Sequence, residues 1–186
     1  QFCVRIVAGE QKGKKLAAPS DRRVRPTSDR VREALFSALT GGRRVFSSGT
    51  RVLDAFAGTG ALGLEALSRG AGHATFMDTD RESVALVKRN VGILKEERRT
   101  TVLGQDATRP GPADAKYDLV FLDPPYDKNL VPKTLEALRG NGWLAEDAVI
   151  VVELRKKTAF DPLEGFAVTG DRTYGDTRVV ILNTTD

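Results

Sequence analysis

From residue 51 onward the chain alternates short apolar runs with segments of helical pattern, and that alternation constrains the fold more than any other feature. Strands are expected at 51–56, 73–78, 101–103, 117–122 and 148–154, with helices at 61–69, 81–94 and 132–138 between them. A strand followed by a helical crossover returns parallel to its predecessor, so repeated βα units build a mostly parallel sheet covered by helices. Two further strands, 166–170 and 178–183, read as a terminal antiparallel pair. The expected class is α/β: a Rossmann-like, doubly wound, mostly parallel seven-stranded sheet with an antiparallel last strand. Sheets of this kind bind ligands beyond the carboxyl ends of their strands, at the topological switch point.

Before this series lies a different kind of sequence. Residues 3–8 and 14–18 flank a loop bounded by Gly9 and Gly13, which reads as a β-hairpin. An arginine-rich stretch follows (Arg22, Arg23, Arg25), then the N-cap candidates Thr27, Ser28 and Asp29. A helix should begin there and end at Gly41-Gly42, with Val31, Ala34, Leu35, Ala38 and Leu39 as its apolar stripe and Arg30, Arg32 and Glu33 off it. Charge marks the same division. Residues 1–51 carry 12 Lys+Arg against 4 Asp+Glu, whereas the remaining 135 carry 17 against 21. A basic arm on a mildly acidic body suggests a polyanion partner held beside a small-molecule site. We therefore divide the chain into a basic extension, 1–42, with Arg22, Arg23, Arg25, Arg30 and Arg32 as phosphate contacts, and a main domain, 43–186. The single cysteine, Cys3, excludes an intrachain disulfide framework and a cysteine metal cluster, which suits a reducing cytoplasm. No apolar run approaches the roughly 20 residues of a membrane span.

Two motifs carry chemistry. The first, Asp54-Ala-Phe56-Ala-Gly58-Thr-Gly60-Ala-Leu-Gly63, runs from the end of a strand into a helix. Its glycines, with Asp78 twenty residues after Gly58, formally satisfy the dinucleotide fingerprint. Asp54 argues otherwise, because a carboxylate there repels a pyrophosphate and welcomes an ammonium group. A ligand with adenosine at one end and a cationic amino acid at the other is S-adenosylmethionine. Asp78, after the second strand, is placed for the ribose hydroxyls, and Asp106, after the third, for the adenine amine. Asp80 reads as the N-cap of the following helix. The second motif, Asp123-Pro124-Pro125-Tyr126, ends the apolar run 119–122. Consecutive prolines remove two backbone donors and leave the preceding carbonyls free to face a ligand. A carboxylate, rigid carbonyls and an aromatic face are what a planar base with an exocyclic amine needs.

With these motifs in hand, the chain resembles the bacterial RsmD-type 16S ribosomal RNA guanine-N2 methyltransferases. The resemblance rests on Arg5-Ile6-Val7-Ala8-Gly9 with Gly13 and Leu16, on Arg25 to Glu33, on Asp54 to Gly63 with Glu65 to Ala71, on Asp123 to Tyr126, and on Tyr174-Gly175-Asp176-Thr177. It covers nearly the whole chain, and Arg25-Pro-Thr-Ser-Asp-Arg-Val-Arg-Glu33 makes it specific. One departure is Asp78, where such proteins more often carry Glu. The resemblance implies methyl transfer from S-adenosylmethionine to guanine N2, with Asp54, Phe56, Gly58, Gly60, Asp78 and Asp106 at the cofactor and Asp123, Pro124 and Tyr126 at the base. It also implies a substrate of assembled or partly assembled small subunit. A monomer is expected, and no metal is needed, because the electrophile carries its own positive charge.

Other readings differ in what they leave unexplained. Adenine-N6 methylation of DNA or RNA uses the same tetrapeptide, and only the 25–33 block argues against it. A nicotinamide oxidoreductase leaves Asp54 and the Pro-Pro turn without a role. A non-catalytic assembly factor would not need Asp54, Gly58, Gly60 and Asp123 intact. His73, near a strand start, and Trp143 read as packing residues; Glu153, inside an apolar strand, reads as a capped acid near its end; Tyr174 to Thr177 reads as a hairpin turn.

Overall fold

The fold follows from where the apolar runs can hide. In a computed structural model describing residues 3–20, 27–41, 46–125 and 129–186, the two-residue strands β1 (Val4–Arg5) and β2 (Lys15–Leu16) form a small antiparallel hairpin, followed by helix α1 (Asp29–Thr40). The alternating series is β3 (Arg51–Asp54), α2 (Ala61–Ser68), β4 (His73–Met77), α3 (Arg81–Leu94), β5 (Thr100–Leu103), β6 (Tyr117–Leu122), α4 (Leu130–Gly140) and β7 (Leu144–Arg155). The hairpin β8 (Phe166–Tyr174) and β9 (Thr177–Thr184) closes it.

Seven strands make one sheet in the order β5-β4-β3-β6-β7-β9-β8. Pairing is parallel from β5 through β7, and β9 runs antiparallel to both of its neighbours. The chain winds outward from β3 to β4 and β5, then crosses back to β6 on the other side of β3. The switch point therefore lies between β3 and β6, whose carboxyl ends carry Asp54 and Asp123.

Side chains alternate across each strand, so each apolar run feeds two cores. On one face Val52, Leu119, Phe121, Val151 and Val179 pack with α2, α3, α1 and the N-terminal hairpin. On the other, Leu53, Val120, Leu122, Ile150, Val152 and Val180 pack with α4, Tyr117 and Trp143. The N-terminal extension thus shares a core with the sheet: Val4, Ile6, Leu16, Leu35, Phe36 and Leu39 are buried in it. The division between residues 42 and 43 falls at the edge of segment 42–45, outside the described residues.

Polar anchors fix the hairpin to α2. Glu65, fully buried, accepts hydrogen bonds from the amides of Val7 and Ala8 and from Arg69 Nε. Ser68 Oγ donates to the Ala8 carbonyl and accepts from the Gln11 amide. Asn90 on α3 accepts from the Ala17 amide and donates to the Thr59 and Ala17 carbonyls. Arg69 reaches α1, pairing with Glu33 at 3.0 Å and lying over the Phe36 ring.

Three expectations need correction. The buried stripe of α1 is Arg32, Leu35, Phe36 and Leu39, rotated from the apolar set read in sequence, because Arg32 turns inward to polar partners. Strand β7 begins at Leu144 rather than 148, since Leu144 pairs with Tyr117 across an irregularity in register. Strand β8 continues to Tyr174 through exposed polar residues, paired to β9 with one irregularity between Val168 and Gly170; Asp171 is ion-paired to Arg178 at 2.6 Å. Trp143 is core, stacked on Tyr117 and donating to the Gly111 carbonyl. His73 lies at the amino end of β4 within hydrogen-bond reach of Thr75 and Thr101, at the opposite end of the sheet from the switch point.

Candidate active site

Glycines shape the loop between β3 and α2. Gly58 takes φ of 56°, closed to most side chains, and a Cβ there would meet nothing within 4 Å, so the backbone borders open space. Gly63 is needed for a different reason. A Cβ at Gly63 would sit 2.5 Å from the Phe76 ring, so glycine lets α2 lie against β4. Phe56 is half-buried beside the second core.

Asp54 is 2% exposed at the end of β3. Its hydrogen bond comes from the Gly63 amide at 3.1 Å, at the start of α2, and no described residue supplies a cation. Burial pushes its carboxyl up to about 7, against the pull of the Gly63 bond and helped by the nearby charges of Asp78 and Glu153. Asp78 accepts from the Gly58 amide at 3.0 Å and from the Asp80 amide at 2.9 Å, which ties the glycine loop to the end of β4. Asp80 caps α3 as expected, accepting from the Ser83 amide. Asp106 is half-buried; the Thr108 hydroxyl and amide hold its carboxyl below the usual range.

Asp123 follows β6, half-buried, with Pro124 buried and Pro125 exposed. Its carboxyl is raised well above the usual range, by burial first and then by the charges of Glu153 and Asp54. These three acids share a sheet face. Asp54 pairs in register with Phe121, and Asp123 and Glu153 lie one residue beyond the Leu122↔Val152 pair. Phe121 and Val151, two residues earlier, face the core that holds α1, so Asp123 and Glu153 face the same way. Thr27 Oγ1 donates to the Glu153 carboxylate at 2.8 Å.

The structure brings Asp54, Gly58, Gly60, Asp78, Asp106, Asp123 and Pro124 to the carboxyl edge of the sheet. Tyr126, Arg22, Arg23 and Arg25 lie outside the described residues. Arg30 is exposed near the start of α1. Arg32 departs from its expected place: it is 1% exposed, donating to the Arg5 carbonyl at 2.7 Å and pairing with Asp29 at 2.8 Å. Sequence reasoning took Thr27 only as a cap candidate, a role Ser28 fills, and gave Glu153 no partner. A lone acid inside an otherwise apolar strand was the available signal.

A doubly wound sheet with a glycine loop and acids at successive strand ends defines the Rossmann-like methyltransferase fold. Magnesium protoporphyrin IX methyltransferase from Synechocystis, solved with bound S-adenosylmethionine, shares it at a TM-score of 0.61, 18% identity and coverage of 84% of this chain and 79% of that one. The chain belongs to the family described as Conserved hypothetical protein 95, which matches residues 4–183. It is similar to ribosomal RNA small subunit methyltransferase D of Escherichia coli K12, 39% identical over 150 residues, 81% of this chain and 74% of that protein. The solved structure of Escherichia coli yhhF, named there as a candidate methyltransferase, superposes with a TM-score of 0.81 at 32% identity over 98% of each chain. The resemblance to the RsmD type drawn from sequence therefore holds.

Proposed function

We propose that this protein transfers a methyl group from S-adenosylmethionine to the exocyclic N2 of a guanine in 16S ribosomal RNA of the small subunit. The observation that carries the reading is the run of acids along the switch point, buried Asp54, to which no described residue supplies a cation, and Asp123 beside the Pro-Pro turn. Family membership and the rRNA methyltransferase relative support the substrate class.

The residues fit the cofactor. Asp54 meets an ammonium group, Asp78 the ribose hydroxyls, Asp106 the adenine amine, and Gly58 and Gly60 leave room for the ligand, with Phe56 alongside. When bound, S-adenosylmethionine supplies a methyl group on a cationic sulfur. Guanine N2 is a poor nucleophile because its lone pair is delocalised into the ring. Asp123 and the Pro124 carbonyl accept the two N2–H bonds and turn the nitrogen toward tetrahedral geometry, which frees the lone pair. Asp123 and Pro124 would thereby hold N2 ready for the methyl group that the bound cofactor would supply, the C–S electron pair staying with sulfur. One N2–H proton then passes to the Asp123 carboxylate. Tyr126 stacks on the extruded base. Residues 1–42 hold the RNA through Arg22, Arg23, Arg25 and Arg30, with Arg32 ordering the start of α1 from within. The setting is the cytoplasm; among the described residues, no helix is long and apolar enough to cross a membrane.

The test offers S-adenosylmethionine with a labelled methyl group to small subunits, free ribosomal RNA and duplex DNA from a host lacking the activity, followed by digestion to nucleosides. Labelled N2-methylguanosine from subunits is the expected result. N6-methyladenosine or its deoxy form would overturn the specificity, and absence of label with cofactor bound would point to an assembly factor.

A further inference from the structure

We infer that Glu153 acts on the transfer through Asp123, its charge beside Asp123 governing when Asp123 can accept from the target amine, and that Thr27 in turn holds Glu153. The inference rests on the proposed function. Glu153 is 5% exposed, near the end of β7, where among the described residues it accepts from Thr27 and lies within the field of the Arg32 guanidinium. A carboxylate is costly in such a place unless its charge is used. Its register neighbour across the strands is Asp123, on the same face, with Asp54 one strand further. The only described donor to it is Thr27 Oγ1, bifurcated at 2.8 and 2.9 Å. Thr27 is the first described residue after the arginine-rich stretch 21–26, and it leads into α1 through the Ser28 cap.

The described groups that act on the Glu153–Asp123 pair are Thr27 before α1, Arg32 on α1, and Asp54 at the end of β3. Val179 of β9, the partner of Glu153 on the other side, is apolar. Two adjacent carboxyls, Glu153 buried and Asp123 half-buried, resist carrying two negative charges, so the pair holds a proton. The Thr27 hydroxyl and the Arg32 guanidinium favour a charged Glu153, which leaves that proton on Asp123 in the free protein. A protonated Asp123 has one fewer acceptor site for the amine. Transfer therefore requires the pair to lose its proton. Glu153 and Thr27 set the pH at which that happens.

Two near-isosteric variants, Glu153→Gln and Thr27→Val, test this by two readouts. In the free protein, a carbon-13 NMR titration of the Asp123 carboxyl should move to lower pH by about one pH unit in Glu153→Gln, where the neighbouring charge is gone. The same direction and a smaller move are expected in Thr27→Val, where Glu153 takes the shared proton more readily. In single-turnover transfer to small subunits, the acid limb of the rate profile should shift likewise. An Asp123 titration unmoved in both folded variants, with only the melting temperature lowered, would reduce Glu153 to a structural acid and overturn the inference. If wild-type protein transfers no methyl group, the proposed function falls instead, and the NMR titration still decides the pair.

Discussion

Glu65 and Asp54 are both buried carboxylates, at 0% and 2% exposure, on elements joined by one glycine loop, yet they are treated in opposite ways. Glu65 receives two amides and an arginine, and its charge is spent on fastening the N-terminal hairpin to α2. Asp54 receives one amide, is pushed up to about 7, and has two further acids, Asp78 and Glu153, near enough to oppose its charge. Burial by itself is therefore no mark of function. A buried acid whose partners are all present serves the fold, whereas Asp54, left short of them at the open edge of the sheet, is the one we propose meets a ligand.

The sharpest break in this comparison is Asp123→Ala. Methyl transfer should fall roughly a thousandfold, the scale of losing a positioned acid–base group, with cofactor affinity little changed. Near-normal turnover would remove Asp123 from the mechanism. Next comes Asp54→Asn, which should weaken cofactor binding by about 30-fold through loss of a charge-assisted bond, measured by calorimetry. The same variant tests a sign. Asp54 is neutral in both states below its ordinary value of 3.8; as pH rises, the unfolded carboxyl ionises first while the folded one resists until about 7. Its contribution to the stability of the free protein therefore falls between those values and levels off above about 7. Asp54→Asn should flatten the decline in melting temperature from pH 5 to pH 8. A cationic ligand favours the charged form, so wild-type cofactor affinity should rise with pH up to about 7.

Charge reversal at Arg25 and Arg30 should weaken RNA binding by about tenfold at low salt, the gap closing as salt rises, because phosphate contacts act by counterion release. Unchanged RNA affinity would sink the role of the basic arm. The smallest effect on catalysis belongs to Glu65→Gln. It should cost about 1–3 kcal/mol of stability by leaving a buried donor poorly matched, seen as a drop of several degrees in melting temperature, with the Asp54 pH response intact. A loss of cofactor affinity as large as that of Asp54→Asn would erase the distinction between the two acids.

Much of this was legible along the chain. Helix α3 and strand β6 have the bounds that periodicity predicts, 81–94 and 117–122, because local pattern and tertiary placement agree there. Strand β8 was read short, since Asp171, Arg172 and Thr173 look like a loop until β9 pairs with them. The site divides in the same way. Asp54, Asp78, Asp106 and Asp123 are recognisable because each ends a strand or follows one within three residues, and strand ends in a doubly wound sheet converge on one edge. Arg32 was misplaced because an arginine two residues after Arg30, in a basic extension, reads as solvent-facing.

The residue order alone determined the alternation of strand and helix, the glycine loop, the Pro-Pro turn and the acids at successive strand ends, since each depends on spacing within a few neighbours. Only the tertiary structure decided that Glu65 and Ser68 are anchors, that Arg32 is buried, and that Thr27 and Glu153, 126 residues apart, are hydrogen-bonded beside Asp123. Partners of that kind depend on which strand end lies beneath which helix start. That is set by how the two cores pack, and no local pattern encodes it.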